Sequence, residues 1–357
     1  MSARKIIHIV EATATGTLSM ASLLANTQAE AGHDVYVIYS LRPETPVNFC
    51  KEFSSSIKLY QIPMYKYNDK LKAAFSLRKY LIENSPHSIF MHSSFAGFLG
   101  RLAGLGLKSD ISFFYIPHCI SLMRQDIGFF RKGIFLLFEW IGALKDSDYI
   151  AVSMSEKIIV EKYIPFRKCH LVENAVFFNK ESNLKKRNGN LIVTVGQIRH
   201  QKDPLEFAKI SMILQKKCSE IQMVWIGDGD PYLRKLLEDS GVRVTGWLKR
   251  DDVLSLLSKS TIYLSTAKWE GMPVSIIEAN YSGIPVVASR CAGNVDVVSH
   301  GVTGWVYDSI DDAVRLIQSA LADIAGSINV ARYAQKSAKK RFSIERYVNE
   351  MNAILEK

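Results

Sequence analysis

The stretch WEGMPVSIIEA, residues 269–279, carries the most informative pattern in the chain. Gly271 and Pro273 suit a turn and are unfavourable inside a helix, while the apolar residues that follow predict the opening of a buried helix. Ser275 stands where it can cap that helix. Glu278 follows three residues later, as in a capping box.

Two carboxylates are therefore predicted near one helix N-terminus, Glu270 on the loop before it and Glu278 about one turn inside it. The free N–H groups and the dipole of a helix N-terminus favour anions. A loop acid, an anion cradle and a second acid would fit a sugar, a diphosphate and a ribose laid end to end. The alternative is that Glu278 only caps the helix and that Glu270 is a solvated loop acid.

Buried strands flank this stretch. Residues 261–265 predict a strand that ends at the acidic loop, and residues 283–289 predict a turn and a second strand. Together they form one βαβ unit with the acids where strand meets helix. Open parallel sheets bind ligands at the carboxyl ends of their strands.

Three linked motifs occur in order: EGMPVSIIEA at 270–279, SGIPVVAS at 282–289 and GVTGWV at 301–306. They resemble the donor-site signature of the retaining glycosyltransferases of family 4, including the pair of acids with seven residues between them. The resemblance implies the α/β fold called GT-B, in which two doubly wound, Rossmann-like domains face a central cleft. It also implies transfer of a sugar from a nucleotide-diphosphate sugar, most often a UDP-sugar.

Composition agrees with a two-domain globular protein. The chain has 357 residues, of which 48% are hydrophobic and 22% charged, and no apolar run approaches the ~20 residues of a membrane span. Its N-terminus runs straight into a strand, so no signal peptide is expected. Five scattered cysteines, an odd number, favour a reducing compartment over a disulfide framework or a zinc site. We therefore expect a cytoplasmic protein.

The net charge of +10 is concentrated in residues 51–145, which hold 13 Lys and Arg against 6 Asp and Glu. This excess favours an anionic partner, either the inner face of the cytoplasmic membrane or a lipid-diphosphate acceptor. The alternative is a solvated basic face. Residues 123–145 interleave basic and aromatic side chains and predict either an interfacial helix or a core helix with a basic end. Nucleic acid is not expected, because no binding motif accompanies the charge.

The predicted N-terminal domain, residues 1–180, begins with a strand, a loop of small residues containing Gly16, and a helix from about Met20. By the resemblance, this loop faces the donor and Gly16 is the counterpart of the family's loop glycine. His118 follows a buried strand, where the family places a residue near the reacting sugar. A neutral imidazole there can bond a donor hydroxyl or receive the acceptor's proton. His92, at a strand end, is interpreted as a turn histidine, and the alternative is contact with the acceptor.

A polar linker, 179–190, leads to the predicted donor domain, residues 187–341, and a final helix, 342–357, is expected to return to the first domain. After Gly196, two cations at a spacing of three, Arg199 and Lys202, suit a diphosphate. The family has an arginine directly after the glycine. Gln197 occupies that position here, and Arg199 lies two residues later.

The resemblance and the spacing together give the candidate site. The candidate catalytic residues are His118, Arg199, Lys202 and Glu270. The candidate donor-binding residues are Gly16, Gly196, Arg199, Lys202, Leu248, Glu270, Gly271, Met272, Pro273, Val274, Ser275 and Glu278. No metal and no resident cofactor are expected, since the nucleotide sugar is a co-substrate and the two cations can neutralise its diphosphate.

The expected acceptor is a polysaccharide or a lipid-linked saccharide. Residues 89–104 resemble family members that build bacterial surface polysaccharides, such as O-antigen, capsule or exopolysaccharide. Within the same fold, the alternatives are a nucleotide-sugar epimerase or a phosphorylase. From another class, the alternative is a non-catalytic, membrane-associated partner of an assembly complex.

Overall fold

The computed structural model describes residues 3–107, 110–176 and 189–356, except for the side chain of Tyr67. The chain forms two compact units, Met1–Asn174 with Tyr347–Lys357, and Ala175–Arg346. Most of the predicted linker, up to residue 188, lies outside the described residues.

The first unit is built on a parallel sheet of seven strands, and the apolar side chains of its central strands are buried on both faces, as in other α/β proteins. Its strands are β1 (Lys5–Val10), β2 (Asp34–Tyr39), β3 (Lys58–Gln61), β4 (Ser88–His92), β5 (Ser112–Ile116), β6 (Asp148–Ala151) and β7 (Cys169–Leu171). Their spatial order is β3-β2-β1-β4-β5-β6-β7. The order reverses between β1 and β4, which makes that pair the topological switch point.

Helices connect these strands: α1 (Thr15–Glu30), α2 (Lys70–Asn84), α3 (Ser94–Ala103), α4 (Phe129–Gly142) and α5 (Met154–Tyr163). The prediction that the first helix begins near Met20 was wrong. It begins at Thr15, so Gly16 lies in its first turn and not on a loop. Thr, Gly and Ser in this turn carry no apolar periodicity, so the sequence did not indicate a helix there.

The second unit has a parallel sheet of six strands: β8 (Leu191–Val195), β9 (Gln222–Ile226), β10 (Arg243–Val244), β11 (Ile262–Ser265), β12 (Val286–Ser289) and β13 (Trp305–Tyr307). Their order is β10-β9-β8-β11-β12-β13, so the switch point lies between β8 and β11. Phe207 and Trp225 meet edge-to-face, 5.3 Å apart between ring centroids, in the core against one face of this sheet.

The helices of the second unit are α6 (Pro204–Lys217), α7 (Pro231–Asp239), α8 (Arg250–Lys259), α9 (Val274–Tyr281), α10 (Asn294–Val297), α11 (Ile310–Ala322) and α12 (Ile324–Arg341). Short 3-10 turns occur at Phe49–Glu52, Tyr67–Asp69, Ser121–Met123 and His200–Lys202. The last helix, α13 (Ile344–Leu355), groups with the first unit from Tyr347 onward.

The helix α4 exposes most of its apolar side chains. Phe129 is 95% exposed and Phe130 is 80% exposed, and only Glu139 and Gly142 are buried. Glu139 accepts a hydrogen bond at 2.8 Å from Arg101, a fully buried arginine of α3. The alternative that residues 123–145 form a core helix was therefore wrong. Within the described residues, no helix is long and apolar enough to cross a bilayer.

Candidate active site

An ion pair lies at the switch point of the second unit. Lys202 Nζ is 2.7 Å from Glu270 Oε1. Lys202 follows β8 and Glu270 follows β11, and these strands are neighbours. Burial disfavours the charged ammonium, but the Glu270 carboxylate outweighs burial and raises the pKa of Lys202. The ammonium of Lys202 therefore stays charged at neutral pH.

Hydrogen bonds hold the two loops of this pair in register. The Thr266 hydroxyl donates to the carbonyl of Lys202 at 2.7 Å, and the Lys268 N–H donates to the carbonyl of Gln201 at 2.8 Å. The Gln201 amide donates to the second Glu270 oxygen, Oε2, at 3.3 Å. Both carboxylate oxygens of Glu270 thus have a partner supplied by the neighbouring loop.

Glycine lets a third loop approach Glu270. Gly293 has φ +85°, and a Cβ atom built there would lie 2.6 Å from the Glu270 carbonyl oxygen. The Glu270 N–H in turn donates to the carbonyl of Ala292 at 2.9 Å. On the other side, Lys202 Cε lies 3.0 Å from the position that a Cβ of Gly196 would take. Small residues therefore surround the Lys202–Glu270 pair.

The helix α9 begins next to this pair, but not as predicted. Pro273 is its N-cap residue, and no side chain caps the helix. Ser275 lies inside the first turn, and its hydroxyl accepts a 2.8 Å hydrogen bond from Tyr263. The predicted capping box with Glu278 was wrong, because the helix begins at Val274, two residues earlier than a Ser275 cap would require. The N–H groups of Val274 and Ser275 make no hydrogen bond within the described residues.

Glu278 is buried one turn into α9, and its partner comes from α8. Arg250 Nη2 lies 2.7 Å from Glu278 Oε1. Burial raises the pKa of Glu278, and Arg250 offsets only part of that effect. The side chain of Arg250 is half exposed, whereas that of Glu278 is buried, so a ligand can reach the arginine of this pair.

The remaining donor-side candidates lie on loops of the same unit. Arg199 is exposed and makes no ion pair within the described residues. It lies near enough to Lys202 for its charge to oppose part of the rise in the pKa of Lys202. Leu248 is partly exposed on the loop before α8. Gly271, Met272 and Pro273 are buried in the turn that leads into α9.

The expectation of a metal-free site overlooks an Asp-x-Asp triplet at 228–230. The structure gives both carboxylates other partners. Arg234 Nη1 lies 2.8 Å from Asp228 Oδ2, and Asp230 caps α7 by accepting from the N–H of Tyr232 at 2.9 Å. Within the part of the chain that the structure describes, no group of three or more His, Cys, Asp or Glu is arranged to hold a metal.

His118 and Gly16 belong to the first unit, near the carboxyl edge of its sheet. His118 follows β5 and is only partly buried. Its Nε2 lies 3.0 Å from Nδ1 of His92, which is fully buried at the end of β4. Burial lowers the pKa of His118 to about 4. His92 is therefore part of a buried contact at the sheet edge, and the interpretation of it as a turn histidine was wrong.

Sequence reasoning missed several residues that contact the candidates or are linked to them through other residues. They are His8, Gln28, Glu156, Gln201 and Arg250. One signal was available: His8 and His92 interrupt apolar strands, and a buried polar residue in such a strand calls for an explanation. Gln201 and Arg250 carried no signal, because their partners lie 69 and 28 residues away in sequence.

Comparisons with known proteins show the family of this chain. A family model described as Glycosyl transferases group 1 matches residues 176–341, and one described as Glycosyltransferase Family 4 matches residues 16–178. The Escherichia coli UDP-Gal:alpha-D-GlcNAc-diphosphoundecaprenol alpha-1,3-galactosyltransferase is 26% identical over 73% of this chain and 76% of its own. A Campylobacter jejuni alpha-1,4-N-acetyl-D-galactosaminyltransferase, whose name gives a PP-undecaprenol-linked acceptor, is 23% identical over 94% of this chain and 93% of its own.

A solved structure shows the same fold. The crystal structure of Anabaena HepE in complex with UDP superposes with a TM-score of 0.80 at 16% identity and covers 99% of both chains. The two Rossmann-like sheets are thus those of a GT-B glycosyltransferase. Since family models match both halves of the chain, the protein belongs to glycosyltransferase family 4, and the predicted family and fold are confirmed.

Proposed function

We propose that this protein is a retaining glycosyltransferase that moves a sugar from a UDP-sugar to a lipid-linked or polysaccharide acceptor, in the synthesis of a bacterial surface polysaccharide. The observation that carries the proposal is the Lys202–Glu270 pair at the switch point, beside the N-terminus of α9. The UDP bound to HepE and the diphosphoundecaprenol acceptor in the name of the E. coli relative support the choice of substrates.

Lys202 and Arg199 receive the diphosphate in this proposal, together with the N–H groups of Val274 and Ser275. Negative charge grows on the leaving diphosphate as the sugar departs, and donors already in place stabilise that charge without reorganisation. Two cations and a helix N-terminus can neutralise the diphosphate directly. A reaction that needs no metal is therefore part of the proposal.

Glu270 and Glu278 bind the sugar and the ribose of the donor in this proposal. When the diphosphate draws Lys202 away, Glu270 becomes free to accept hydrogen bonds from the sugar hydroxyls. Glu278 accepts from the ribose hydroxyls in place of Arg250. The exchange is feasible because half of the Arg250 side chain is exposed and returns to water at little cost.

We infer retention of the anomeric configuration from the resemblance of the donor-site motifs to those of the retaining family. In that mechanism the acceptor hydroxyl attacks the same face of the sugar that the diphosphate leaves. The groups that stabilise the diphosphate therefore also lie beside the incoming hydroxyl. His118, uncharged at neutral pH, bonds a sugar hydroxyl.

In this proposal the protein binds a membrane through α4. The exposed aromatic side chains of α4, Phe129 and Phe130, adjoin two basic residues, Arg131 and Lys132. A helix with aromatic side chains beside cations suits the interface of an anionic bilayer. We therefore place the protein at the inner face of the cytoplasmic membrane, where lipid-linked acceptors are within reach.

Calorimetric titration with a panel of nucleotides and nucleotide sugars, with wild type and Glu278→Ala in the presence of a chelator, tests the donor site. We expect one nucleoside diphosphate, UDP, to bind wild type and to lose affinity in the variant. Turnover is then followed with a lipid-linked acceptor, and proton NMR reads the anomeric configuration of the product. Isomerised donor without acceptor indicates an epimerase, and bound donor without product under any acceptor indicates an assembly partner.

A further inference from the structure

Three imidazoles form a line at the switch point of the first unit. His8 Nδ1 lies 3.0 Å from His92 Nε2, and His92 Nδ1 lies 3.0 Å from His118 Nε2. The three rings are stacked, with successive centroids 5.3 Å apart. At the inner end, His8 Nε2 lies 2.7 Å from Gln28 Oε1 on α1. The line runs from a buried amide to a histidine of the proposed site.

The inner part of this line is fully buried. His8 and His92 have no exposed surface, and Phe90 stacks on His8 at 5.2 Å. Burial, followed by the charges of its two histidine neighbours, lowers the pKa of His92 well below its ordinary value. Burial also lowers the pKa of His8 to about 4. Both rings are neutral at physiological pH and carry one N–H each.

The hydrogen bonds along the line determine which nitrogen of each ring carries its proton. With the Gln28 amide oriented so that Oε1 faces His8, this oxygen accepts from His8 Nε2–H, which leaves His8 Nδ1 as an acceptor. His92 then donates from Nε2 and accepts at Nδ1, so His118 donates from Nε2. The lone pair of His118 is left on Nδ1, which has no hydrogen-bond partner within the described residues.

The backbone at His118 has an unusual conformation, and hydrogen bonds to Glu156 hold it. His118 has φ +58° and Cys119 has φ +137°, both unusual for residues with a side chain. The buried Glu156 carboxylate accepts from the N–H groups of Cys119 at 2.9 Å and Ile120 at 2.7 Å. Its other oxygen accepts from the Val152 N–H at 2.9 Å. Strained backbone persists only where its surroundings over-determine it, and such places cluster at functional sites.

We propose that His92, supported by His8 and Gln28, is a positioning residue that holds His118 in the tautomer with a bare Nδ1, so that this nitrogen accepts a hydrogen bond from a hydroxyl of the sugar substrate. The inference rests on the proposed function, because it assumes that His118 meets the sugar. It adds that His118 acts through a fixed proton position, which is set from the Gln28 end of the line and not by the substrate.

The first test reads the tautomer directly. Nitrogen-15 NMR of protein labelled at histidine distinguishes a protonated ring nitrogen from a bare one, and the spectrum of His118→Gln assigns the signal. In wild type we expect His118 to show bare Nδ1 and protonated Nε2. In His92→Phe and Gln28→Leu we expect a mixture of both tautomers. A wild-type His118 signal in both variants would overturn the inference.

The second test is kinetic. With a UDP-sugar and its acceptor, we expect His92→Phe to lower kcat about 10- to 100-fold, as for a buried hydrogen-bonding group that is left without its partner, with little change in UDP affinity. His170→Phe is the matched control. It removes a histidine that lies in the same sheet but bonds Asp148 at 2.8 Å, outside the line, and should leave kcat unchanged.

The outcomes separate this inference from the proposed function. If His118→Ala retains the wild-type rate, the role of His118 in the proposed function fails. If His118→Ala is inactive while His92→Phe and Gln28→Leu keep the wild-type rate, only the positioning role fails. Should His92→Phe not fold, as judged by circular dichroism, Gln28→Leu carries the test, since it changes none of the three rings.

Discussion

At the scale of single residues, Lys202 carries the largest share of the proposed chemistry. Its ammonium is mostly buried and pairs with one carboxylate. We expect Lys202→Ala to lower UDP affinity by about 10- to 100-fold, as for loss of a charge-assisted hydrogen bond. It should also lower the free energy of unfolding by a few kcal/mol, because Glu270 is left buried without its cation.

Calorimetry with UDP and denaturant unfolding measure the two effects. The matched control is Lys268→Ala, since Lys268 pairs with Asp203 at 3.0 Å but is more exposed. Equal losses of UDP affinity in the two variants would contradict the assignment of Lys202.

Glu278 gives a prediction in which stability and binding move in opposite directions. Burial raises its folded pKa above the unfolded value, so the native state holds the proton longer and loses stability as the pH rises through that window. Glu278→Gln keeps the shape and removes the ionisable group. At pH 7 we expect the Tm without ligand to stay equal or rise, while the Tm increase caused by UDP shrinks. A lower Tm with an undiminished UDP effect would contradict this.

At the scale of elements, the loop between β12 and α10 must approach Glu270 closely. Gly293→Ala places a Cβ 2.6 Å from the Glu270 carbonyl oxygen, so the acidic loop must shift. We expect kcat/KM to fall more than tenfold and the free energy of unfolding to drop by more than the ~1–2 kcal/mol of left-handed strain alone. Gly301→Ala is the control, because its φ is +75° but no atom lies within 4 Å. Similar kinetics for both variants would rule out the steric argument.

The helix α4 belongs to the same scale. Replacing Arg131 and Lys132 with Glu should weaken sedimentation with anionic vesicles at least tenfold, because each basic residue near such a surface contributes about 1 kcal/mol. Phe129→Ser with Phe130→Ser should weaken it further. Activity on a soluble acceptor should not change. Lys339→Glu with Lys340→Glu, on exposed positions of α12, is the control, and an equal loss there would indicate binding by net charge alone.

At the scale of the whole molecule, the two units should respond differently to acid. The depressed pKa values of His8, His92 and His118 mean that the unfolded first unit binds protons before the native one. Its stability is therefore complete above about pH 6.5 and falls toward pH 4, by about 3 kcal/mol from His8 alone. Calorimetric scans from pH 7 to pH 4.5 should show one transition moving down ahead of the other. His8→Phe should flatten that shift, and parallel movement of both transitions would contradict the prediction.

The sequence alone determined the fold class, the family and the position of the donor-side loops. This was possible because apolar strands, Gly and Pro turns and the motif between 269 and 306 are local signals. The same signals predicted Lys202 and Glu270 as candidates, and the structure places the two side chains 2.7 Å apart. The functional roles of these residues stay predictions.

Only the tertiary structure decided the partners of these residues. The first turn of α1 was wrong in the sequence analysis, since a short run of Ser, Thr and Gly fits a loop or a helix equally well. The role of Ser275 was also wrong, since a serine at a helix start fits either the cap or the first turn. The line from Gln28 to His118 and the Arg250–Glu278 pair join residues far apart in sequence. Parallel β-strands bring such residues to one edge of the sheet, and the proton positions and pKa values at that edge depend on burial and neighbours that local patterns do not specify.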